Sequence, residues 1–217
     1  MENNIYPDSG VELNPFTAKH YDSLMNTASF GLYKGFIKRA IKNMDVQPND
    51  IILDLGCGTG RNAGLMVSSL SDKGSITGLD VSKIMESQFN KKFSGDKRVR
   101  FIQQRADIPF DLGQQFDKIL ISFVIHGFPH EVRKTVIQNI VNHLKPGGSF
   151  FMLDFSEFNM MEMPALHRFI FKTIECKYAF DFIEKDWKQI LSENGFSDFK
   201  ESFYMKKYVR LMKALKK

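Results

Sequence analysis

Between residues 51 and 155, short apolar runs alternate with amphipathic stretches, and this alternation limits the fold more than any other feature. The runs are IILDL at 51–55, SITGLD at 75–80, VRFIQQ at 99–104, FDKILISF at 116–123 and SFFMLDF at 149–155. A continuous apolar run such as IILDL marks a strand buried on both faces. Helical spacing fills the gaps, at about 60–71, after Ser82, and at 130–144. In the last of these Val132, Val136, Ile137, Ile140, Val141 and Leu144 form one stripe. Lys145-Pro146-Gly147-Gly148 then breaks the helix. Five strand–helix alternations demand a parallel sheet with helices on both faces. The class is doubly wound α/β.

The rest of the chain frames that core. Helices are expected at 17–28 and at 31–45, where Leu32, Phe36, Ile37, Ala40, Ile41 and Met44 share a face. A stretch rich in Met and Phe follows at 158–182, then a helix at 184–194 ended by Gly195. Two β-like runs, 197–204 and 206–214, are close enough to pair as an antiparallel hairpin. One domain is expected, with a helical cap at 1–45, a ligand-binding core at 46–156, a lid segment at 157–182, and a C-terminal helix and hairpin at 183–217. Its sheet would have seven mostly parallel strands.

Composition excludes several classes. With 43% apolar residues and 21 Phe among 217 residues, the chain can bury a sizeable core and is not disordered. No apolar run reaches the ~18 residues needed to span a bilayer. The start MENNIYPDSG lacks an export pattern, so a cytoplasmic protein is expected. Cys57 and Cys176 are too few for a disulfide framework, and His130, His143 and His167 show no metal-ligand spacing, so no metal is expected. The net charge is +5, but it sits in two blocks. Residues 91–105 hold six Lys/Arg against one acid and residues 200–217 hold seven against one, leaving 17 basic and 23 acidic residues elsewhere. No nucleic-acid motif accompanies them, so no nucleic-acid partner is expected. A solvated face with a lysine-rich tail is the plainer reading, and peripheral contact with an anionic membrane is the alternative.

The sharpest signal is Asp54-Leu55-Gly56-Cys57-Gly58-Thr59-Gly60, directly after the first buried strand. Glycines there allow a tight turn and close approach of a ligand to the backbone. Asp80 lies 20 residues after Gly60, at the end of the second strand, where a carboxylate can accept from both hydroxyls of a ribose. A dinucleotide site would use G-x-G-x-x-G; here the spacing is G-x-G-x-G and an acid precedes it. A carboxylate at Asp54 suits a ligand with an ammonium group and no phosphates. S-adenosyl-L-methionine is that ligand, with S-adenosyl-L-homocysteine as product.

At these residues the sequence resembles the class I S-adenosylmethionine-dependent methyltransferases. The glycine loop matches the first motif and Gly78-Leu79-Asp80 the ribose-binding acid. Arg105-Ala106-Asp107 matches the adenine-flanking segment, Phe116-Asp117 through Gly127 the fourth-strand motif, and Leu144–Gly148 the KPGG-like turn. Ala18-Lys19-His20-Tyr21-Asp22, Ile121-Ser122-Phe123 and Leu153-Asp154-Phe155-Ser156 further resemble the ubiquinone/menaquinone C-methyltransferases. The resemblance implies a methyltransferase, with Tyr21, Asp54, Gly56, Cys57, Gly58, Gly60, Asp80, Val81, Ala106, Asp107 and Ser122 around the cofactor. The segment after the fifth strand is compressed here, and Tyr178 is the nearest counterpart of the family's tyrosine in that region.

His126 follows the fourth strand at the carboxyl end of the sheet, where an imidazole could take a proton from a hydroxyl. His126 and Tyr178 are therefore the candidates for a base or polarising donor, with ordinary loop hydrogen bonding as the alternative for His126. Met160, Met161, Met163, Phe169 and Phe171 could line an adaptable apolar pocket or form the core side of a lid helix; an enclosed apolar acceptor pocket is expected between residues 157–182 and the 17–28 helix, with His126 at its floor. The expected reaction is methyl transfer to a small-molecule or lipid-like acceptor, with quinol-type C-methylation favoured. The alternatives are phospholipid-headgroup N-methylation or small-phenol O-methylation, then an RNA or protein methyltransferase, or a cofactor-binding protein without turnover.

Overall fold

The computed structural model describes residues 32–217. Tyr21 and the helix expected at 17–28 lie outside them. Helix α1 (Leu32–Lys42) buries Phe36, Ile37, Ala40 and Ile41 and exposes Lys34, Lys38, Arg39 and Lys42, as the 3.6-residue period requires. Then follow β1 (Ile51–Leu55), α2 (Arg61–Met66), β2 (Ser75–Asp80), α3 (Lys83–Lys92), β3 (Val99–Gln103), β4 (Phe116–Ser122), α4 (His130–His143) and β5 (Leu144–Phe155). The chain closes with α5 (Ala165–Ile174), α6 (Lys177–Phe182), α7 (Trp187–Glu193), β6 (Phe196–Tyr204) and β7 (Val209–Lys216).

The seven strands lie in the order β3-β2-β1-β4-β5-β7-β6. The pairs among β1 to β5 are parallel; β7 runs antiparallel to both β5 and β6. The chain winds outward from β1 through β2 and β3, then returns to lay β4 on the other side of β1. That reversal is where a doubly wound sheet opens a crevice for ligands.

Strand alternation divides the core in two. Leu53, Leu55, Ile119, Ile121, Phe150 and Met152 face a cluster with α4, α6 and α7, while Ile52, Leu120, Phe151 and Leu153 face one with α1, α2 and α3. Trp187 anchors the first cluster. It is fully buried, its ring lies 4.4 Å from that of Phe182, and its Nε1 donates to the Phe182 carbonyl at 2.9 Å. Side chains cap the helix starts: Ser82, after which α3 is expected, accepts from the Met85 amide, and Asp186 caps α7 by accepting from the Gln189 amide.

Some details differ from expectation. Strand β5 starts at Leu144, which pairs with Phe116 across a register break before regular pairing resumes at Ser149. The helix expected at 184–194 begins only at Trp187, after a separate short helix, α6. The hairpin's second strand starts at Val209, because Met205, Lys206 and Lys207 all take left-handed φ angles (48°, 56° and 73°) and form the turn.

The basic blocks are also not simply a solvated face with a tail. Arg210 is buried, with Glu157 and Glu201 as partners, and Lys216 Nζ donates to the carbonyls of Val141 and Leu144 at the end of α4. Arg98 pairs with Asp96, and Arg105 with Asp107. Several of the charges that raise the net value thus hold the fold together.

Candidate active site

The glycine loop is tied to the end of β2. The amides of Gly56 and Cys57 donate to the Leu79 carbonyl at 2.7 and 3.1 Å. Asp80 accepts from the Gly58 amide with Oδ2 and from the Ser82 amide with Oδ1, both at 2.9 Å. Asp80 therefore shapes the loop as well as facing the crevice. Gly56 has φ +71°, and a Cβ there would stand 2.3 Å from Val124 Cγ2 on the β4 side. Gly60 has φ +74° at the start of α2, where a Cβ would strike the Phe93 and Phe89 rings at 2.6 and 2.7 Å. No side chain fits at either position: Gly56 leaves bare backbone at the cleft, and Gly60 lets the loop close against the Phe89 and Phe93 rings.

That cleft runs from Gly56, Asp80 and Val81 past Ala106 and Asp107 to Val124 and Phe128. Its far rim is fastened by α4. Asn139 Nδ2 donates to the carbonyls of Ala106 and Ile108 at 2.9 and 2.8 Å, and His143 Nε2 accepts from the Leu112 amide at 3.1 Å. Asp107 is held by Arg105 at this rim. Five of the eleven expected cofactor residues, Gly56, Asp80, Val81, Ala106 and Asp107, thus line one cleft, while Asp54, Cys57, Gly58 and Gly60 belong to the loop beside it. Ser122 does not line the cleft; it is buried in β4, paired with Leu153.

Asp54 is fully buried at the base of the loop, and among the described residues neither of its oxygens has a hydrogen-bond partner. Burial lifts its carboxyl from 3.8 to about 7, the charge of Asp80 adds to the lift, and Arg61 opposes it. Burial also raises the Asp80 carboxyl, against the pull of the Ser82, Gly58 and Val81 amides. A buried carboxylate without donors is costly, and a cation beside it removes the cost. The donor set fits a ligand bearing an ammonium group near Asp54 and a diol near Asp80. Burial and then the charges of Asp54 and Asp80 push the Cys57 thiol well above the ordinary range, so it is no thiolate nucleophile.

The other half of the site lies over β4 and β5. His126 is on a short turn, Ile125–Gly127, directly after β4. Its Nδ1 lies 2.7 Å from Asp154 Oδ1, and its ring lies 5.1 Å from Phe155 and 6.3 Å from Phe182. Arg133, buried on α4, donates to the carbonyls of Ile125, His126 and Tyr178 and to the Asp181 carboxylate. It ties the His126 turn to α6, its guanidinium carbon 5.2 Å from the centre of the Phe182 ring and 5.8 Å from that of Trp187. Tyr178 joins this assembly through its carbonyl, and its ring lies against the Lys177 ammonium at 5.1 Å.

The enclosed pocket expected from Phe169 and Phe171 together is not what the structure builds. Phe171 packs against Phe155, Phe158 and Phe180, while Phe169 is 68% exposed. Residues two apart on a helix point about 200° from each other, so the two rings cannot share a wall. Met163 is buried and Met161 is 74% exposed, divided in the same way.

Sequence reasoning assigned no role to Asp154, Arg133 or Glu175. The usable signal for Asp154 was its place at the end of the fifth strand, beside the end of the fourth; for Arg133 it was a charge within an otherwise apolar helix stripe.

The model of the ubiE/COQ5 methyltransferase family matches residues 13–191. The chain belongs to that family. Among curated members, the demethylmenaquinone methyltransferase of Lactobacillus johnsonii is 30% identical over 158 residues, covering 71% of this chain and 64% of its own length. That of Bacillus licheniformis is 29% identical over 176 residues, covering 79% of this chain and 75% of its own length. The chain spans 56–66% of the length of the first three such relatives. Solved structures agree on the fold. A SAM-dependent methyltransferase from Aquifex aeolicus matches with TM-score 0.66 at 16% identity, over 95% of this chain and 100% of its own. The glycopeptide N-methyltransferase MtfA complexed with (S)-adenosyl-L-methionine matches with TM-score 0.62 at 16% identity, over 83% and 87%. These solved structures share the doubly wound sheet on which both halves of this site stand.

Proposed function

We propose that this ubiE/COQ5 family chain transfers the methyl group of S-adenosyl-L-methionine to a ring carbon of a small, quinol-type acceptor. The observation that carries the acceptor class is His126: an imidazole backed by a carboxylate, set among the Phe155 and Phe182 rings at the carboxyl end of β4. An aromatic acceptor with an ionisable hydroxyl needs that combination, whereas a free amine needs no base.

The cofactor, when bound, supplies a methyl group already activated on a positively charged sulfur. Asp54 would hold its ammonium group, Asp80 its ribose hydroxyls, and Val81, Ala106 and Asp107 would flank its base. His126 would accept the acceptor's hydroxyl proton, leaving the electron pair on oxygen and making the ring carbon nucleophilic. Phe155, Phe158 and Phe171 would exclude water, and Tyr178 would stand beside them at the α6 edge.

Supporting a lipid-like acceptor, α5 exposes Leu166, Phe169 and Ile170, with Lys172 beside them. Lys206 and Lys207 lie exposed at the β6–β7 turn, next to Tyr208, whose ring meets His167 of α5 at 5.9 Å. That face suits an anionic membrane surface carrying the acceptor. Among the described residues no helix is long and apolar enough to cross a membrane.

The test is to incubate the purified chain with methyl-labelled cofactor and, separately, a reduced demethylated naphthoquinol, a phospholipid and a simple phenol. Label on a ring carbon of the quinol, located by mass spectrometry, is the expected result. Label only on a headgroup nitrogen or a phenol oxygen overturns the acceptor class, and failure to bind the cofactor overturns the whole reading.

A further inference from the structure

Resting on the proposed methyl transfer, we infer that Asp154 and Glu175 are the positioning residues of His126: Asp154 fixes the imidazole from behind, and Glu175 covers its open nitrogen as a stopper that the acceptor's hydroxyl displaces. The geometry assigns each part. Asp154 Oδ1 already accepts from its own neighbour, the Phe155 amide at 2.8 Å, and lies 2.7 Å from His126 Nδ1. An ionised carboxylate can only accept, so Nδ1 carries a proton and Nε2 is the atom left for chemistry. Asp154 is 1% exposed, and among the described residues its Oδ2 has no hydrogen-bond partner. Such a charge is tolerable only beside a cation, so it favours the imidazolium form of the ring it touches.

Glu175 stands on the other side. It follows α5 directly, on the link to α6, and its Oε2 lies 3.8 Å from His126 Nε2. That separation is too long for a hydrogen bond and short enough to exclude another group. Among the described residues no hydrogen bond holds the Glu175 side chain, only its charge contact with His126, and the linker that carries it belongs to the segment between β5 and α6. A hydroxyl that hydrogen-bonds Nε2 must take the volume that this carboxylate holds.

The charges around the ring make the exchange consequential. Asp154 on β5, Glu175 on the α5–α6 link and Arg133 on α4 face His126, with Asp181 of α6 paired to Arg133. Burial works against a charged imidazole and Arg133 opposes it further, yet Asp154 and Glu175 outweigh both and raise its pKa above 6.5. Burial raises the Glu175 carboxyl as well. With the stopper in place, His126 therefore tends to hold a second proton and is no base. When Glu175 is displaced, one of the two carboxylates stabilising that proton departs. The proton passes from Nε2 to solvent, and the freed lone pair can take the proton of the acceptor hydroxyl, whose bonding pair stays on oxygen.

The experiment is a nitrogen-15 and carbon-13 NMR titration of His126 in the full chain, without cofactor or acceptor, compared with Asp154→Asn and Glu175→Gln. The expected result in the wild type is a midpoint above 6.5, with the ring that has lost its second proton above that midpoint protonated on Nδ1. Each variant should lower that midpoint, by about 1–3 pH units for loss of the closer charge, and Asp154→Asn should also loosen the tautomer. Glu175→Gln keeps the Asp154 contact, so it remains informative if Asp154→Asn folds poorly. In turnover of a water-soluble naphthoquinol, Glu175→Gln should move the acid limb of the kcat/KM profile to lower pH. A wild-type ring protonated on Nε2, or midpoints unchanged in both variants, would overturn the inference and leave the proposed reaction standing. A normal titration result with no methyl transfer to any quinol would instead overturn the proposed function.

Discussion

Replacing Asp54 with Asn should remove a pH-dependent weakness from the cofactor-free protein. In the unfolded chain this carboxyl ionises near 3.8, and in the folded chain near 7. Between those values the unfolded state has released a proton that the folded state retains, so stability falls as pH rises. Above pH 7 the full penalty applies, about 4 kcal/mol for that displacement; below pH 4 it is absent. An asparagine side chain cannot ionise, so the variant should lack this slope. Its buried amide adds an offset of about 1–3 kcal/mol, but that offset does not change with pH. The assay is urea unfolding of both proteins without cofactor at pH 5, 6, 7 and 8. The difference between them should grow in the variant's favour by a few kcal/mol across the series. Parallel stability profiles would refute the reasoning. Calorimetry with S-adenosylhomocysteine supplies the other half: binding should release a proton below pH 7 in the wild type and be lost in the variant.

Three further outcomes are expected. Gly56→Ala should destabilise the fold by about 2–4 kcal/mol and close the cleft, because φ is +71° and the new methyl meets Val124; Gly95→Ala, at φ +89° but in open space, should cost only about 1–2 kcal/mol in denaturant titrations. Arg133→Met should cost about 3–5 kcal/mol by chemical denaturation, since three carbonyls and the Asp181 carboxylate lose a buried donor. Phe171→Ala should cost about 3–5 kcal/mol and Phe169→Ala less than about 0.5; equal losses in thermal unfolding would show that α5 packs the other way round.

The parallel half of the fold was legible because its signals are local and redundant. IILDL, SITGLD and FDKILISF read as buried strands from composition alone, and Ser82 and Gly195 punctuate their helices as capping chemistry dictates. The cofactor side was legible for the same reason, since Asp54, Gly56, Gly60 and Asp80 sit on one short loop and one strand end. The acceptor side was not. Asp154 and His126 are 28 residues apart and meet only because β4 and β5 are neighbours. Arg133 stands on the apolar stripe of its helix, but its partners lie 45 and 48 residues downstream, where no local pattern points to them. Phe169 and Phe171 were assigned one wall because composition was allowed to override helical geometry.

The two halves of the site use buried carboxylates in opposite ways, and that difference makes the expected pH dependence separable. Among the described residues Asp54 has no donor, and it stays largely protonated until about pH 7, so the free protein must lose that proton before it can pair with an ammonium group. Asp154 already holds a partner that shares its charge, and His126 must lose its second proton before Nε2 can accept another. Both events favour higher pH, so kcat/KM for the proposed transfer should rise with pH over two ionisations, with a slope approaching two in log units below both of them. The two limbs respond to different substitutions. Glu175→Gln acts only on the imidazole, so one limb should move to lower pH while the limb belonging to Asp54 stays near 7. Cofactor affinity measured alone should show just the Asp54 limb, unmoved by that substitution. A profile with a single proton, or one in which Glu175→Gln shifts cofactor binding, would mean that the two carboxylate systems are coupled through the sheet rather than set independently on its two faces.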